Sequence, residues 1–245
     1  MTSSIYDSVR AILLDIEGTT TPIDFVFKVL FPYARSQAER FLERYGSLPD
    51  VLEDLDRLRH EHLTDTHQGF NPPDLKDPYQ LASFVAYIGW LIDRDRKSTP
   101  LKSLQGKIWA EGYLSGDLRS QVFGDVPPAL KRWREQSKTI AIFSSGSVLA
   151  QKLLLAHTTA GDLTGFVSAY FDTTCGTKTD PASYEKIAKM LERSPTEIVF
   201  VSDVVSELDA AEAAGLQVLL CKRPANHPQP QNAHKEIRTL NELLP

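Results

Sequence analysis

Asp15 and Glu17 stand two residues apart where an apolar run ends, in Ala-Ile-Leu-Leu-Asp-Ile-Glu-Gly-Thr-Thr-Thr (residues 11–21). A carboxylate so placed can act as a nucleophile or hold a metal ion. Gly18 lets the backbone come close to an anion, and the threonine hydroxyls can donate to one. Three later stretches offer groups suited to the same work. Ser144-Ser145-Gly146-Ser147 follows the apolar run 140–143; Ser147 either joins the amides of a helix N-terminus in an anion site or simply caps that helix. Lys178 sits in a short loop, Gly-Thr-Lys-Thr-Asp-Pro, where a lysine is solvated unless other groups gather around it. Asp203 ends the apolar run 198–201, with Glu207 and Asp209 close behind. It reads either as a metal ligand or as the start of a helix.

These groups need a scaffold that brings strand ends together. The first run is apolar without alternation, as a strand buried on both faces of a parallel sheet is. Ligands bind at the carboxyl ends of such strands. From residue 125 onward the pattern predicts helix 126–136, strand 139–143, helix 147–156, strand 168–171 and helix 181–192. Strand 198–201, helix 207–214, strand 216–220 and a last helix over 235–243 follow. That alternation predicts an α/β fold with a Rossmann-like parallel sheet.

Residues 24–120 read differently, with no strand-like run. Helices are expected over 25–45, 50–63, 79–96 and 100–113, with Pro32 marking a break or a new start and loop chemistry over 64–78, where Pro78 closes the stretch. Val51, Leu52, Leu55 and Leu58 would share a face of the second. The domain expectation is therefore a core of 1–23 and 121–245 with an inserted all-helical domain at 24–120. Tyr87, Ile88, Trp90 and Leu91 would pack its interior, and Gly106 marks close packing or substrate approach. Glu53, Asp54, Asp56 and the run Arg94-Asp95-Arg96-Lys97 read as solvated faces. The Pro-rich stretch 224–230 reads as a surface loop near the mouth of the site.

Composition narrows the function classes. The chain has 245 residues, 42% hydrophobic and 24% charged, with a net charge of −5. That is an ordinary globular balance, with no basic footprint for nucleic acid and no stretch of membrane-spanning length. The first residues, Met1-Thr-Ser-Ser-Ile-Tyr-Asp, lack the basic and apolar regions of a secretion signal, so cytoplasmic residence is expected. Cys175 and Cys221 are too few for a disulfide framework and are expected to be free thiols, neither of them a nucleophile. His60 and His62 are two apart and share no helix face, so with His67 they predict no zinc site.

Taken in order, Asp-x-Glu-Gly-Thr, a strand-end Ser, a loop Lys and a strand-end Asp closely resemble the haloacid dehalogenase superfamily of aspartyl phosphotransferases. Glu17 stands where most members carry a second Asp. Asp15-Ile16-Glu17-Gly18-Thr19-Thr20-Thr21-Pro22-Ile23 is similar instead to the enolase-phosphatases (acireductone synthases) of methionine salvage. So are Leu104-Gln105-Gly106-Lys107-Ile108-Trp109, Phe143-Ser144-Ser145-Gly146-Ser147 and Val201-Ser202-Asp203-Val204. The resemblance spans residues 11 to about 224 and implies that 24–120 is a cap. It implies Asp15 as nucleophile and Glu17 as general acid and base. It also implies one Mg²⁺ held by Asp15, the Glu17 position (through its main-chain carbonyl) and Asp203. Ser144, Ser145 and Lys178 map onto the substrate-binding positions. The implied reaction is enolisation and dephosphorylation of 2,3-diketo-5-methylthiopentyl-1-phosphate by a monomer, without nucleic acid or membrane. The alternative is a small-molecule phosphatase of the same superfamily lacking the enolase step. The enolising base stays open; Lys28, Tyr33 and Lys107 are candidates in the cap.

Overall fold

The computed structural model describes residues 8–75, 81–96 and 98–245. Residues 1–7, Pro78, Tyr79 and Lys97, on which parts of the sequence reading fall, lie outside the described residues. Six strands make one sheet: β1 (Ala11–Leu14), β2 (Thr139–Phe143), β3 (Ala169–Phe171), β4 (Ile198–Ser202), β5 (Gln217–Cys221) and β6 (Glu236–Ile237). Every pairing is parallel, and the order is β3-β2-β1-β4-β5-β6. All four residues of β1 are buried. Its apolar side chains on both faces suit the centre of the sheet, where Leu14 lies opposite Ile142 on β2 and Val201 on β4.

The order reverses direction at β1, with β2 on one side and β4 on the other. A crevice opens at the carboxyl ends of the strands at such a switch point. Asp15 directly follows β1, and Asp203 directly follows β4. Topology alone thus sets these two carboxylates side by side, and the Asp15 amide donates to the Val201 carbonyl at 3.0 Å.

The chain divides into two compact units, one of Met1–Val26 with Arg119–Pro245 and one of Phe27–Leu118. The helices are, in order, α1 (Ile23–Phe25), α2 (Phe31–Tyr45), α3 (Pro49–His67), α4 (Leu81–Asp93), α5 (Thr99–Ser115), α6 (Val126–Glu135), α7 (Val148–Ala156), α8 (Pro181–Met190) and α9 (Val205–Ala213). In the first unit, Tyr184 and Ile187 of α8 and Leu208 and Ala211 of α9 pack on Leu13, Phe143 and Phe200 of the sheet. Five residues, Val26–Leu30, wind as a π-helix that runs directly into α2, and Pro32 sits in the first turn of α2.

In the second unit α2 packs on α4 and α5, and α5 packs on α3. Tyr87, Ile88, Trp90 and Leu91 are buried there. Of the groups expected to be solvated, Asp54 is interior and Arg96 is partly buried. Asp54 is buried and accepts from Lys107 Nζ at 2.6 Å and Ser103 Oγ at 2.7 Å. Arg96 pairs with buried Asp65, which also accepts from the Tyr87 hydroxyl at 2.9 Å. A charge enters an interior when a partner on another helix meets it, which local charge patterning does not reveal. Leu52, placed by spacing on the buried face of α3, is half exposed.

The helix expected over 235–243 does not form. Glu236–Ile237 instead adds β6 to the sheet edge beside Leu220 and Cys221, and a 3-10 turn covers Leu240–Glu242. Thr239 and Glu242 close a capping box around that turn. Arg132 donates to the carbonyls of Leu240, Leu243 and Leu244, and Trp133 Nε1 to that of Leu243. These distant donors satisfy carbonyls that a helix would have used for itself. Among the described residues no helix is long and apolar enough to cross a membrane. Cys175 and Cys221 form no disulfide.

Candidate active site

Turn geometry after β1 sets the first part of the site. The amides of Thr19, Thr20 and Thr21 all donate to the Ile16 carbonyl, and Gly18 donates to Thr21. Gly18 has φ +75°, and a Cβ there would lie 2.3 Å from Asp203 Oδ2. The anion this glycine admits is therefore the chain's own carboxylate. The hydroxyls bind less outwardly than expected: Thr20 Oγ1 donates to the Asp15 carbonyl at 3.2 Å, while the buried hydroxyls of Thr19 and Thr21 have no partner among the described residues. Gly18→Ala should displace Asp203 and cost about 1–2 kcal/mol from the left-handed backbone. Its effect on turnover should be larger, about 100-fold. Urea unfolding and steady-state rates separate the two effects.

The loop after β3 delivers Lys178. Gly176 has φ +133°, and Ser183 Oγ would sit 2.2 Å from a Cβ there. Ser183 Oγ donates to the Thr177 carbonyl at 2.7 Å, and Tyr184 donates its hydroxyl to the Lys178 carbonyl at 2.6 Å. Asp180 caps α8. Held this way, Lys178 is buried, with Nζ 2.6 Å from Asp15 Oδ1 and 2.6 Å from Glu207 Oε2. Burial works against its charge, but Asp15, Glu207 and Glu17 outweigh that and hold the ammonium above its ordinary pKa.

After β2, Ser144 is buried and donates to both carboxylate oxygens of Glu17, at 3.1 and 3.3 Å. Ser145 is exposed. Ser147 is the cap of α7, accepting from the Ala150 amide at 3.3 Å, which decides between its two readings. At the end of β4, Ser202 Oγ donates to Glu207 at 2.8 Å. Asp209 faces elsewhere, at 2.7 Å from His234.

Four carboxylates thus surround one ammonium. Burial, then the charges of Asp15 and Glu207, push Asp203 up to about 7. Burial, then Asp15, push Glu207 up to about 7 as well. Glu17 is raised by burial and by Asp15. Lys178 pairs with Asp15 and Glu207, and neither of those ion pairs includes Asp203. The deficit is one of positive charge, which a divalent cation beside Asp15 and Asp203 would supply. Among the described residues no cluster of three or more His, Cys, Asp and Glu side chains is set to hold a metal. A hard cation here would therefore draw on two carboxylates together with main-chain and solvent oxygens, the donor set magnesium favours.

Two positions carry more than the sequence assigned to them. Glu207 was visible only as a carboxylate near Asp203, yet it shares Lys178 with Asp15. Arg223 gave no local signal at all; it donates from Nε to the Thr19 carbonyl at 3.1 Å and bidentately to Asp125 at 3.0 and 2.9 Å. Asp125 and Thr19 lie about a hundred and two hundred residues away in sequence, beyond any motif. Of the stretch 224–230, residues 226–230 line a cleft of about 520 Å³ that Asp203 also borders. Of the candidates for an enolising base, Lys107 is tied to Asp54 and Asp50, Tyr33 packs its ring against Gly112, and Lys28 is exposed.

A family model for haloacid dehalogenase-like hydrolases matches residues 9–215. An enolase-phosphatase E1 from Synechococcus elongatus is 53% identical over 219 residues, covering 89% of this chain and 91% of that protein. One of the same name from Drosophila melanogaster is 45% identical over 219 residues, covering 89% and 84%. Among solved structures, the UTR4 protein of Saccharomyces cerevisiae superposes with a TM-score of 0.76 at 32% identity, covering 94% of this chain and 98% of that one.

Proposed function

The chain belongs to the haloacid dehalogenase-like hydrolases, and we propose that it is a magnesium-dependent enolase-phosphatase working through an aspartyl-phosphate on Asp15. The reaction is enolisation of 2,3-diketo-5-methylthiopentyl-1-phosphate and hydrolysis of its phosphate ester, giving 1,2-dihydroxy-3-keto-5-methylthiopentene, as in methionine salvage. The observation that carries this reading is Asp15 held beside Lys178, Glu17 and Asp203 at the switch point of the sheet. The enolase-phosphatase relatives at 45–53% identity favour it over a phosphatase without an enolase step.

The difficulty in cleaving a phosphate monoester is bringing an anionic nucleophile to an anionic centre. Asp15 and Asp203, with the main-chain carbonyl of Glu17, would hold one Mg²⁺, which when bound neutralises phosphate oxygens and fixes in-line geometry. Lys178 pairs with Asp15 and offers its remaining donor to the phosphoryl group. Asp15 attacks phosphorus as the bond to the leaving oxygen breaks, and Glu17 gives that oxygen a proton. Glu17, now a carboxylate, takes a proton from water as it attacks the aspartyl-phosphate, freeing phosphate and Asp15. Ser144 orients Glu17 for both transfers, and Ser145, exposed beside it, contacts substrate. Residues 24–120 serve as the cap that recognises the rest of the substrate, and the protein works as a cytoplasmic monomer.

Incubation with the diketo phosphate, following enediol absorbance and phosphate together, tests this function. Both signals should appear and require Mg²⁺; phosphate release without the enediol would favour the plain phosphatase. A pH dependence follows from the crowded carboxylates. Asp203 and Glu207 bind protons more tightly folded than unfolded, so the metal-free protein loses stability as pH rises through the window from about 4 to about 7. Its melting temperature in EDTA should be higher near pH 5.5 than near pH 8. Saturating Mg²⁺ should remove most of that difference, which thermal melts will show directly.

A further inference from the structure

The stretch after β5 ties down both loops that carry the site. Arg223 donates to the Thr19 carbonyl, Asn226 Nδ2 to the carbonyls of Gly18 at 2.9 Å and Cys221 at 3.2 Å, and Gln229 Oε1 accepts from the Val205 amide at 3.0 Å. The first and second hold the turn bearing Asp15 and Glu17. The third satisfies an amide at the start of α9, whose own cap position, Val204, has no side-chain oxygen to offer.

Asn226 is the telling member. Its amide orientation is fixed, because a flip would turn an oxygen toward two carbonyl oxygens. Oδ1 consequently faces Gly18, 3.0 Å from where a Cβ there would stand, on the same spot that Asp203 Oδ2 approaches to 2.3 Å. That oxygen is buried and has no protein donor among the described residues. A buried acceptor without a donor is unfavourable unless something beyond the side chains supplies one.

Resting on the magnesium reading above, we propose that Asn226 is a positioning residue of the cation site. Its Nδ2 locks the Gly18 turn against Asp203, and its Oδ1 accepts from water held by the cation. Such partners of a metal's ligands govern its affinity more than the protein's stability.

The test is calorimetric titration of Mg²⁺ into the metal-free full-length protein, with melting in EDTA as the measure of folding. Asn226→Ala and Asn226→Ser should both bind Mg²⁺ about tenfold or more weakly, while melting in EDTA near the wild-type temperature. Asn232→Ala, in the same stretch, should bind as the wild type does. If the alanine variant fails to fold, the serine variant is read alone. Unchanged Mg²⁺ affinity in the folded Asn226 variants overturns the assignment while leaving the metal site standing. A wild type that takes up no Mg²⁺ overturns the metal site itself, and the assignment with it.

Discussion

Replacing Asp15 with Asn should abolish phosphate release, lowering kcat by about 10⁴-fold or more, as loss of a covalent nucleophile does. The fold should survive. Lys178 keeps its 2.6 Å contact with Glu207, and the variant removes one of four crowded carboxylates. In EDTA its melting temperature should therefore equal or exceed that of the wild type. The combination matters, because a variant that is dead and also unfolded would say nothing of chemistry. Phosphate release at an appreciable fraction of the wild-type rate would remove Asp15 as nucleophile. Single-turnover phosphate assays beside thermal melts decide it.

Lys178→Met should act in the opposite way on stability. Among the described residues the ammonium is the only cation shared by Asp15 and Glu207, and its removal leaves buried carboxylates facing one another. Breaking a buried pair from one side costs about 3–5 kcal/mol. The penalty should be largest near pH 8 and smaller near pH 5.5, where protonation of Asp203 and Glu207 relieves the repulsion. Urea unfolding at the two pH values measures it. Turnover should fall by about 10²–10³-fold as well, since a preorganised charge is missing where phosphoryl charge develops. A pH-independent loss of stability would contradict the electrostatic account of this cluster.

What the sequence disclosed follows the reach of each interaction. Ile12, Leu13 and Leu14 disclosed β1 because a strand buried on both faces leaves an uninterrupted apolar run, a purely local mark. Asp15 and Asp203 followed, since parallel topology places strand ends together whatever lies between them. Lys178 was weaker, a loop lysine whose meaning came from Gly176 and Ser183 packing the loop inward. Glu207, Arg223 and Asn226 were not assigned roles, and each of them acts through partners on other elements. The same reason explains the errors. Residues 235–243 carry helical composition, but Leu220 and Cys221 offered a sheet edge, and Arg132 and Trp133 took the terminal carbonyls. Asp54 and Arg96 looked solvated because their partners, Lys107 and Asp65, lie on other stretches of chain.

Chemical trapping bears most directly on the transient phosphorylation of the strand-end carboxylate. The protein is quenched during turnover, reduced with borohydride so that an acyl phosphate becomes an alcohol, digested and mapped by mass spectrometry. The account predicts homoserine in place of Asp at position 15, dependent on substrate and Mg²⁺ and absent at Asp203 and Glu207. Active turnover with residue 15 unmodified, or with the label at another carboxylate, would contradict it.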